Sequence, residues 1–333
     1  MPIDKSWITE MFSKATVVSG ADCNEVYFSN AQDFLSCLAV FTIKQRPCCP
    51  QETSSSGWLF RGHWDATWTM LPLAHRSNQP FKEFGFDLSN HNTVSDSDYW
   101  QMIMKAEIFL LENFQTLANT FSLPCDFSPR IFDELAQMRD DSRNRLYNDW
   151  EFFPKSKWYP ILAKAQHHRI PTRLLDFSDD GLLAAYFAAS KIWNDPPDSE
   201  KTDGKLCVWA FHQNDLNDLH REPDLDRQSK NWLKVPAISQ LGSNLASQRG
   251  CLVLHEGANN FYETNGRWPD FFQDGEAGSN GDRKKRFFKL TLDHVNAKEA
   301  LRILETKQIC PVAVYPSLDN VSATLKYRHW LRN

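Results

Sequence analysis

Apolar residues recur three and four apart through SDYWQMIMKAEIFLLENFQTLANTF, residues 97–121, and that spacing predicts a long amphipathic helix. A second helix is expected from about Ser128, with Pro129 at the favoured first helical position. A third is expected over PKSKWYPILAKAQHH, so that residues 97–168 read as a helical block. Upstream, SNAQDFLSCLAVFTIKQ reads as a helix with Ser29 as N-cap and Gln32 completing a capping box. WLFRG, residues 58–62, reads as a short strand. Beyond the helical block the period changes. GKLCVWAFHQ, GCLVLHE, RFFKLTL and ICPVAVYP are apolar runs bounded by turn residues, and each predicts a strand. VNAKEALRILET and LDNVSATLKYRHW close the chain as helices, and a Gly- and Asn-rich stretch at about 257–285 is expected to be a long loop. Helices followed by a strand-rich second half argue for an α+β fold.

The expected division is an N-terminal arm over residues 1–24 and one domain over 25–333 that contains the helical insertion of about 97–168. Among the 333 residues are 12 Trp and 23 Phe, enough for a sizeable core, and the formal charge of −5 gives no general drive toward nucleic acid or an anionic membrane. No apolar run approaches the length needed to span a bilayer, and MPIDKSWITEMFSKATVV lacks the pattern of a secretory signal. The eight cysteines are scattered without a CxxC pair, so no metal site is expected, and a reduced, cytoplasmic location is the expectation.

Polar side chains crowd the edges of three apolar segments. In WLFRGHWDATWTMLPLAHR, Arg61 ends a strand beside Gly62, and Arg76 follows downstream. A guanidinium there suits a phosphate through two parallel hydrogen bonds, or a structural carboxylate equally well. In AQHHRIPTRLLDFS, His167, Thr172 and Arg173 lie just before the apolar helix GLLAAYFAASKIW, expected to be capped by Ser178 or Asp179. That helix N-terminus suits an anion. His167 is expected to face a cleft, whereas Asp176 reads as a cap or an ion-pair partner of Arg173. His167 and His168 are adjacent, a poor spacing for one metal. In ISQLGSNLASQRGCLVLHEG, Gln248 stands at a strand edge, where its amide can orient a ribose but cannot serve as a base.

Taken in order, LFRG, LPLAHR, AQHHRIPTRLLDFS with LLAAYFA, SQRGCLVLH and AVYPSLDNVSATL resemble the FRG domain family, named for the Phe-Arg-Gly motif present here as Phe60, Arg61 and Gly62. The resemblance runs from about 25 to 326. It departs at Arg169, where the family usually has Gly. A weaker resemblance is to mono-ADP-ribosyltransferases, which place an Arg at the end of an early strand, then a Ser/Thr strand and an Ala/Phe helix, then a Glu at a later strand.

This second resemblance implies an ADP-ribosyltransferase-like core, a split mixed or antiparallel sheet with a helical insertion. It implies NAD or a related nucleotide as substrate, bound by Phe60, Arg61, Gly62, Arg76, His167, Thr172 and Arg173, with Arg61, His167 and Gln248 as catalytic residues. It further implies a protein or nucleic-acid acceptor, no membrane partner, and a toxin or phage-defence role. The sequence reads Gln248-Arg249-Gly250 where the transferases carry Glu-x-Glu or Gln-x-Glu, so the catalytic carboxylate is missing from its usual place; Glu256 and Glu263 are the nearest substitutes. A non-catalytic nucleotide- or nucleic-acid-binding module is therefore the alternative.

Overall fold

The computed structural model describes residues 12, 15–19, 23–43, 57–77, 80–88, 96–123, 129–141, 153–194, 203–213, 232–235, 250–271 and 287–333. Its strands are β1 (Thr16–Ser19), β2 (Asn24–Phe28), β3 (Trp58–His63), β4 (Leu174–Ser178), β5 (Lys205–His212), β6 (Trp232–Val235), β7 (Gly250–His255) and β8 (Phe288–Asp293). Its helices are α1 (Ala31–Ile43), α2 (Asp96–Thr120), α3 (Pro129–Asp141), α4 (Tyr159–His167), α5 (Gly181–Ala189), α6 (Lys191–Asn194), α7 (Ala258–Asn265), α8 (Ala297–Thr306), α9 (Pro311–Val314) and α10 (Leu318–Arg332). No helix among the described residues is long and apolar enough to cross a membrane.

The strands form one mixed sheet in the order β1-β2-β8-β5-β3-β4-β7-β6, in which only β2 and β8 run parallel. The fold is thus mixed α/β, with the expected helices lying between β3 and β4. Four short strands add to those read from the sequence: β1, β2, β4 and β6 are four or five residues long. ICPVAVYP is not a strand: Pro311 starts the helical turn α9, because Cys310 is extended before it and a proline favours a first helical position. The expected loop at 257–285 contains helix α7, whose ends both carry glycine in the left-handed conformation (Gly257 φ 68, Gly266 φ 67).

Both predicted helix caps shift by a residue or two. Helix α1 is capped by Asn30, whose Oδ1 accepts from the Asp33 amide at 2.9 Å while its Nδ2 donates to the Asp33 carboxylate at 2.9 Å. Helix α5 is capped by Asp180, not Ser178 or Asp179, and its Oδ1 accepts from the amides of Leu182 (2.8 Å) and Leu183 (3.4 Å). Ser178 instead accepts the Asp180 amide on its hydroxyl at 3.1 Å, holding that cap.

Alternation along the strands sorts the core into three parts. Trp58, Phe60, Val208, Ala210, Phe288 and Leu290 face α1, α5, α8 and α10 in the largest cluster. Leu174, Leu233, Val235, Leu252 and Leu254 face α2, α3, α4 and α7 in a second. Carried across Phe60↔Ser178, the alternation puts both helical groups on the same face. The opposite face is a smaller cluster of Leu59, Leu175, Phe177, Trp209, Phe211 and Phe271.

The sheet opens between its two halves. Strands β3 and β4 pair at Phe60↔Ser178, and the ladder does not continue to Gly62 and Asp176, which the same register would place opposite each other. On the other side of β3 the pairing with β5 is continuous from Trp58 to His63. The β3–β4 seam therefore separates β1-β2-β8-β5-β3 from β4-β7-β6.

Gly62 decides how close α5 lies to β3. A Cβ built there would stand 2.0 Å from the Ala184 carbonyl oxygen and 2.8 Å from the Ala188 nitrogen. Ala184 and Ala188, four apart, form the small-residue stripe of α5 that this approach requires. Helix α4 ends in a Schellman motif: Ile170 N donates to Ala165 O at 3.0 Å and Arg169 N to Gln166 O at 2.9 Å. Arg169 occupies the left-handed position at φ 67, which explains physically why glycine suits it.

Two outcomes follow from these backbones. Gly62→Ala meets backbone atoms that cannot move aside cheaply and is expected to lower stability by about 3 kcal/mol or more, read from denaturant midpoints. Arg169→Gly removes a left-handed cost of about 1–2 kcal/mol and adds an entropic cost of about 0.5–1 kcal/mol. It is expected to stabilise by about 0.5–1 kcal/mol in the same assay, and a loss of stability would show that the exposed Arg169 side chain contributes more than its backbone costs.

Candidate functional site

The seam is bridged by a side chain. Arg61, which precedes Gly62 within β3, is 11% exposed, and its Nη1 donates to both the backbone oxygen and Oδ1 of Asp176, each at 2.6 Å. The guanidinium thus supplies to β4 the donor that the β3 backbone no longer supplies. Arg61 Nε donates to His63 Nε2 at 3.2 Å. Residues 61 and 63 share a strand face by alternation. That bond makes His63 Nε2 an acceptor, so the neutral ring carries its proton on Nδ1. Burial, together with the charges of Arg61 and Arg76, pushes the His63 pKa down to about 3, and the ring is neutral at pH 7.

Arg76 completes the group. Its Nε donates to the Leu71 oxygen at 3.1 Å, and its position follows from the tight turn Leu73–His75, where Ala74 N donates to Thr172 O at 3.1 Å. Burial first, and then the neighbouring Arg61 charge, lower the Arg76 pKa to about 10, while Asp176 opposes the shift. Arg76 remains a cation at neutral pH. Burial would raise the Asp176 carboxyl, but the charge and hydrogen bond of Arg61, with Arg76 further off, hold it below the usual carboxylate range. Its side chain is nevertheless 65% exposed. Arg61 is thus ion-paired with Asp176 and the Arg76 charge acts on the same carboxylate without bonding to it, so two cations and one carboxylate stand near the seam, a net positive grouping suited to an anion.

A second layer of contacts sets Asp176. Thr172 is buried, and its Oγ1 donates to Gln166 Oε1 at 2.6 Å, while Gln166 Nε2 donates to Asp176 Oδ1 at 3.4 Å. Thr172 acts by positioning Gln166 and does not line the cleft. Gln166, at the end of α4, is the residue of its segment that joins the cluster. His167, one residue on, packs its ring at 5.3 Å against His168 and makes no hydrogen bond to Arg61, Arg76 or Asp176 among the described residues.

Arg173 points inward, away from the role expected of it at the cofactor. Its side chain and that of Glu107 are both fully buried; Nε donates to Glu107 Oε2 at 2.9 Å, and the Arg173 amide donates to Oε1 at 3.0 Å. Nη1 donates to Phe153 O (3.2 Å) and Asn259 Oδ1 (3.0 Å), and the guanidinium lies 4.3 Å from the Phe153 ring centroid. Fully buried and with every guanidinium nitrogen bonded inside the protein, it does not face the cleft. Asp176 accordingly pairs with Arg61 and not with Arg173. Phe60 is fully buried in the helix-facing core, and Gly62 serves the approach of α5, so neither contacts the cleft.

Gln248 lies outside the described residues. Glu256 and Glu263 are both exposed. Glu256 accepts a long 3.3 Å hydrogen bond from the Tyr159 hydroxyl, and neither carboxylate is bonded to Arg61 or Arg76.

Residues 56–196 match the family model of the FRG domain. Over that segment the chain is similar to the FRG domain family. No curated protein and no solved structure matches it. Within the FRG segment the three residues of the motif divide the work: Phe60 anchors the core, Arg61 spans the seam, and Gly62 admits α5. His63 belongs with them in this domain, and the sequence signal for it was available, since it stands two residues from Arg61 on one strand face.

His63 makes a test of the site's electrostatics. Because its pKa is lower in the folded protein than in the unfolded chain, the unfolded state binds the extra proton between about pH 6.5 and about pH 3. Stability is therefore expected to fall as pH falls through that window, at up to about 1.4 kcal/mol per pH unit for this group. His63→Asn should reduce the slope of the denaturant midpoint between pH 6.5 and 5; an unchanged slope would mean that the native site binds the proton as readily as the unfolded chain.

Proposed function

We propose that the cleft at the β3–β4 seam holds the diphosphate of NAD or a related nucleotide, and that the protein is an ADP-ribosyltransferase-like enzyme. The observation that carries this reading is the Arg61–Asp176 ion pair at the point where the sheet opens, with the charge of Arg76 close enough to be felt by both. Arg61 has a fork geometry suited to phosphate oxygens, and it keeps an 11% exposed edge beside the mostly exposed Asp176. The opening of a mixed sheet beside an Arg in the second half of an early strand also agrees with the resemblance to mono-ADP-ribosyltransferases.

The chemistry has defined requirements. The bond between the ribose C1′ and the nicotinamide nitrogen breaks, and nicotinamide leaves with the bonding electron pair. Positive charge develops on the ribose ring. An acceptor nucleophile then bonds to C1′ and releases its proton; with water as acceptor the result is NAD hydrolysis. In this reading Arg61 and Arg76 hold the diphosphate, and Asp176 is the carboxylate of the cleft that faces the developing cation once the diphosphate draws Arg61 toward itself. NAD consumption of this kind fits a toxin or a phage-defence effector.

A non-catalytic nucleotide- or nucleic-acid-binding module is the second reading. It is favoured by one contact: Asp176 is already committed to Arg61 at 2.6 Å.

The deciding assay is nicotinamide release from NAD, with cell extract supplied as acceptor. Wild-type protein is expected to release nicotinamide, Arg61→Ala to lose at least about 100-fold in rate, and Asp176→Asn to lose turnover while NAD still binds. Binding of NAD without release by the wild type would establish the module instead, and the absence of both binding and release would remove nucleotides of this class from consideration.

A further inference from the structure

We propose that Trp68 is the surface on which the base of the bound nucleotide stacks, so that the site selects a phosphate carrying a flat base over a bare polyphosphate or a sugar phosphate. This rests on the reading of the Arg61–Arg76 cleft as a phosphate site. Trp68 is 45% exposed and is the one exposed tryptophan among the described residues. Its ring centroid lies 6.0 Å from that of His63, with the planes inclined at 54°. His63 is in turn bonded to Arg61 at 3.2 Å. An aromatic surface, a neutral imidazole and the guanidinium at the seam thus follow one another in space.

The platform is held rigidly. Asp65 Oδ1 accepts from the Thr67 amide (2.8 Å) and the Thr67 hydroxyl (2.6 Å), and Trp68 N donates to Asp65 O at 3.2 Å. The turn is fastened to its neighbours at both ends: Ala66 N donates to Lys205 O on β5 at 2.8 Å, and Met70 N to the buried Asp270 carboxylate at 2.8 Å. The ring packs one side against His63 and leaves 45% of its surface in water on a pinned turn. Trp64, four residues earlier, is by contrast buried and stacked on His294 at 3.8 Å. Stacking a base on Trp68 would remove apolar surface from water without ordering a loop, because the turn is already ordered.

The test measures dissociation constants for ADP and for inorganic pyrophosphate by calorimetry on the full chain. Trp68→Ala is expected to weaken ADP by about tenfold or more and to leave pyrophosphate within about twofold, while Trp68→Phe, which keeps a ring, retains most of the ADP affinity. Arg61→Ala is expected to weaken both ligands. An ADP affinity unchanged in Trp68→Ala, or equal losses for ADP and pyrophosphate, would overturn the stacking proposal and leave the phosphate reading standing. A wild-type protein that binds pyrophosphate as tightly as ADP would do the same. If the wild type binds neither, the phosphate reading falls and takes this proposal with it.

Discussion

The buried ion pair between Arg173 and Glu107 is the contact on which the site depends. Both side chains are withdrawn from water, and each Arg173 guanidinium nitrogen finds an acceptor among the Glu107 carboxylate, the Phe153 carbonyl and the Asn259 amide oxygen. Removing one member of such a pair costs about 3–5 kcal/mol, because the remaining charge is left buried without a partner. The pair also has a geometric consequence. It joins α2, the segment before α4, and α7 to the residue directly before β4, and so fixes Thr172 in the chain. Thr172 holds Gln166, Gln166 touches Asp176, and Asp176 meets Arg61 across the seam.

The two halves of the molecule are secured by different physics. On the β1-β2-β8-β5-β3 side, a continuous apolar cluster and the near-contact of α5 with Gly62 dominate the packing, with charged contacts such as Arg328–Glu305 at its periphery. On the β4-β7-β6 side, an apolar helical cluster encloses the polar junction around Arg173. The sheet opens where these two regimes meet. An opening between strands ordinarily leaves backbone donors and acceptors unpaired; here the Arg61 side chain takes the Asp176 carbonyl, and the charge that makes this possible also makes the opening attractive to an anion. Structure and chemistry are therefore coupled at one residue.

Much of the fold was legible from periodicity. The long helix α2, the strand at Trp58–His63 and the apolar runs of β5, β7 and β8 all carry strong patterns, and they stand where those patterns place them. The misreadings have physical causes. ICPVAVYP has strand composition, but Pro311 follows an extended Cys310 and begins a helical turn. The true caps Asn30 and Asp180 neighbour Ser29, Ser178 and Asp179, which are equally good capping residues, and composition cannot rank them. The strands β1, β2, β4 and β6 are too short for alternation to stand out.

By itself the sequence determined the long helix α2, the strongly patterned strands β3, β5, β7 and β8, and the presence of Arg61 on a strand beside a glycine, because these depend on local spacing and on side-chain type. Only the tertiary structure decided which polar groups serve the fold and which serve the cleft. Arg173 and Arg76 look alike in sequence, each beside an apolar run, yet one is enclosed by Glu107 and the other stands beside Arg61 at the seam. The difference lies in partners more than 60 residues away along the chain, and the free energy of a charged group is set by what surrounds it in space.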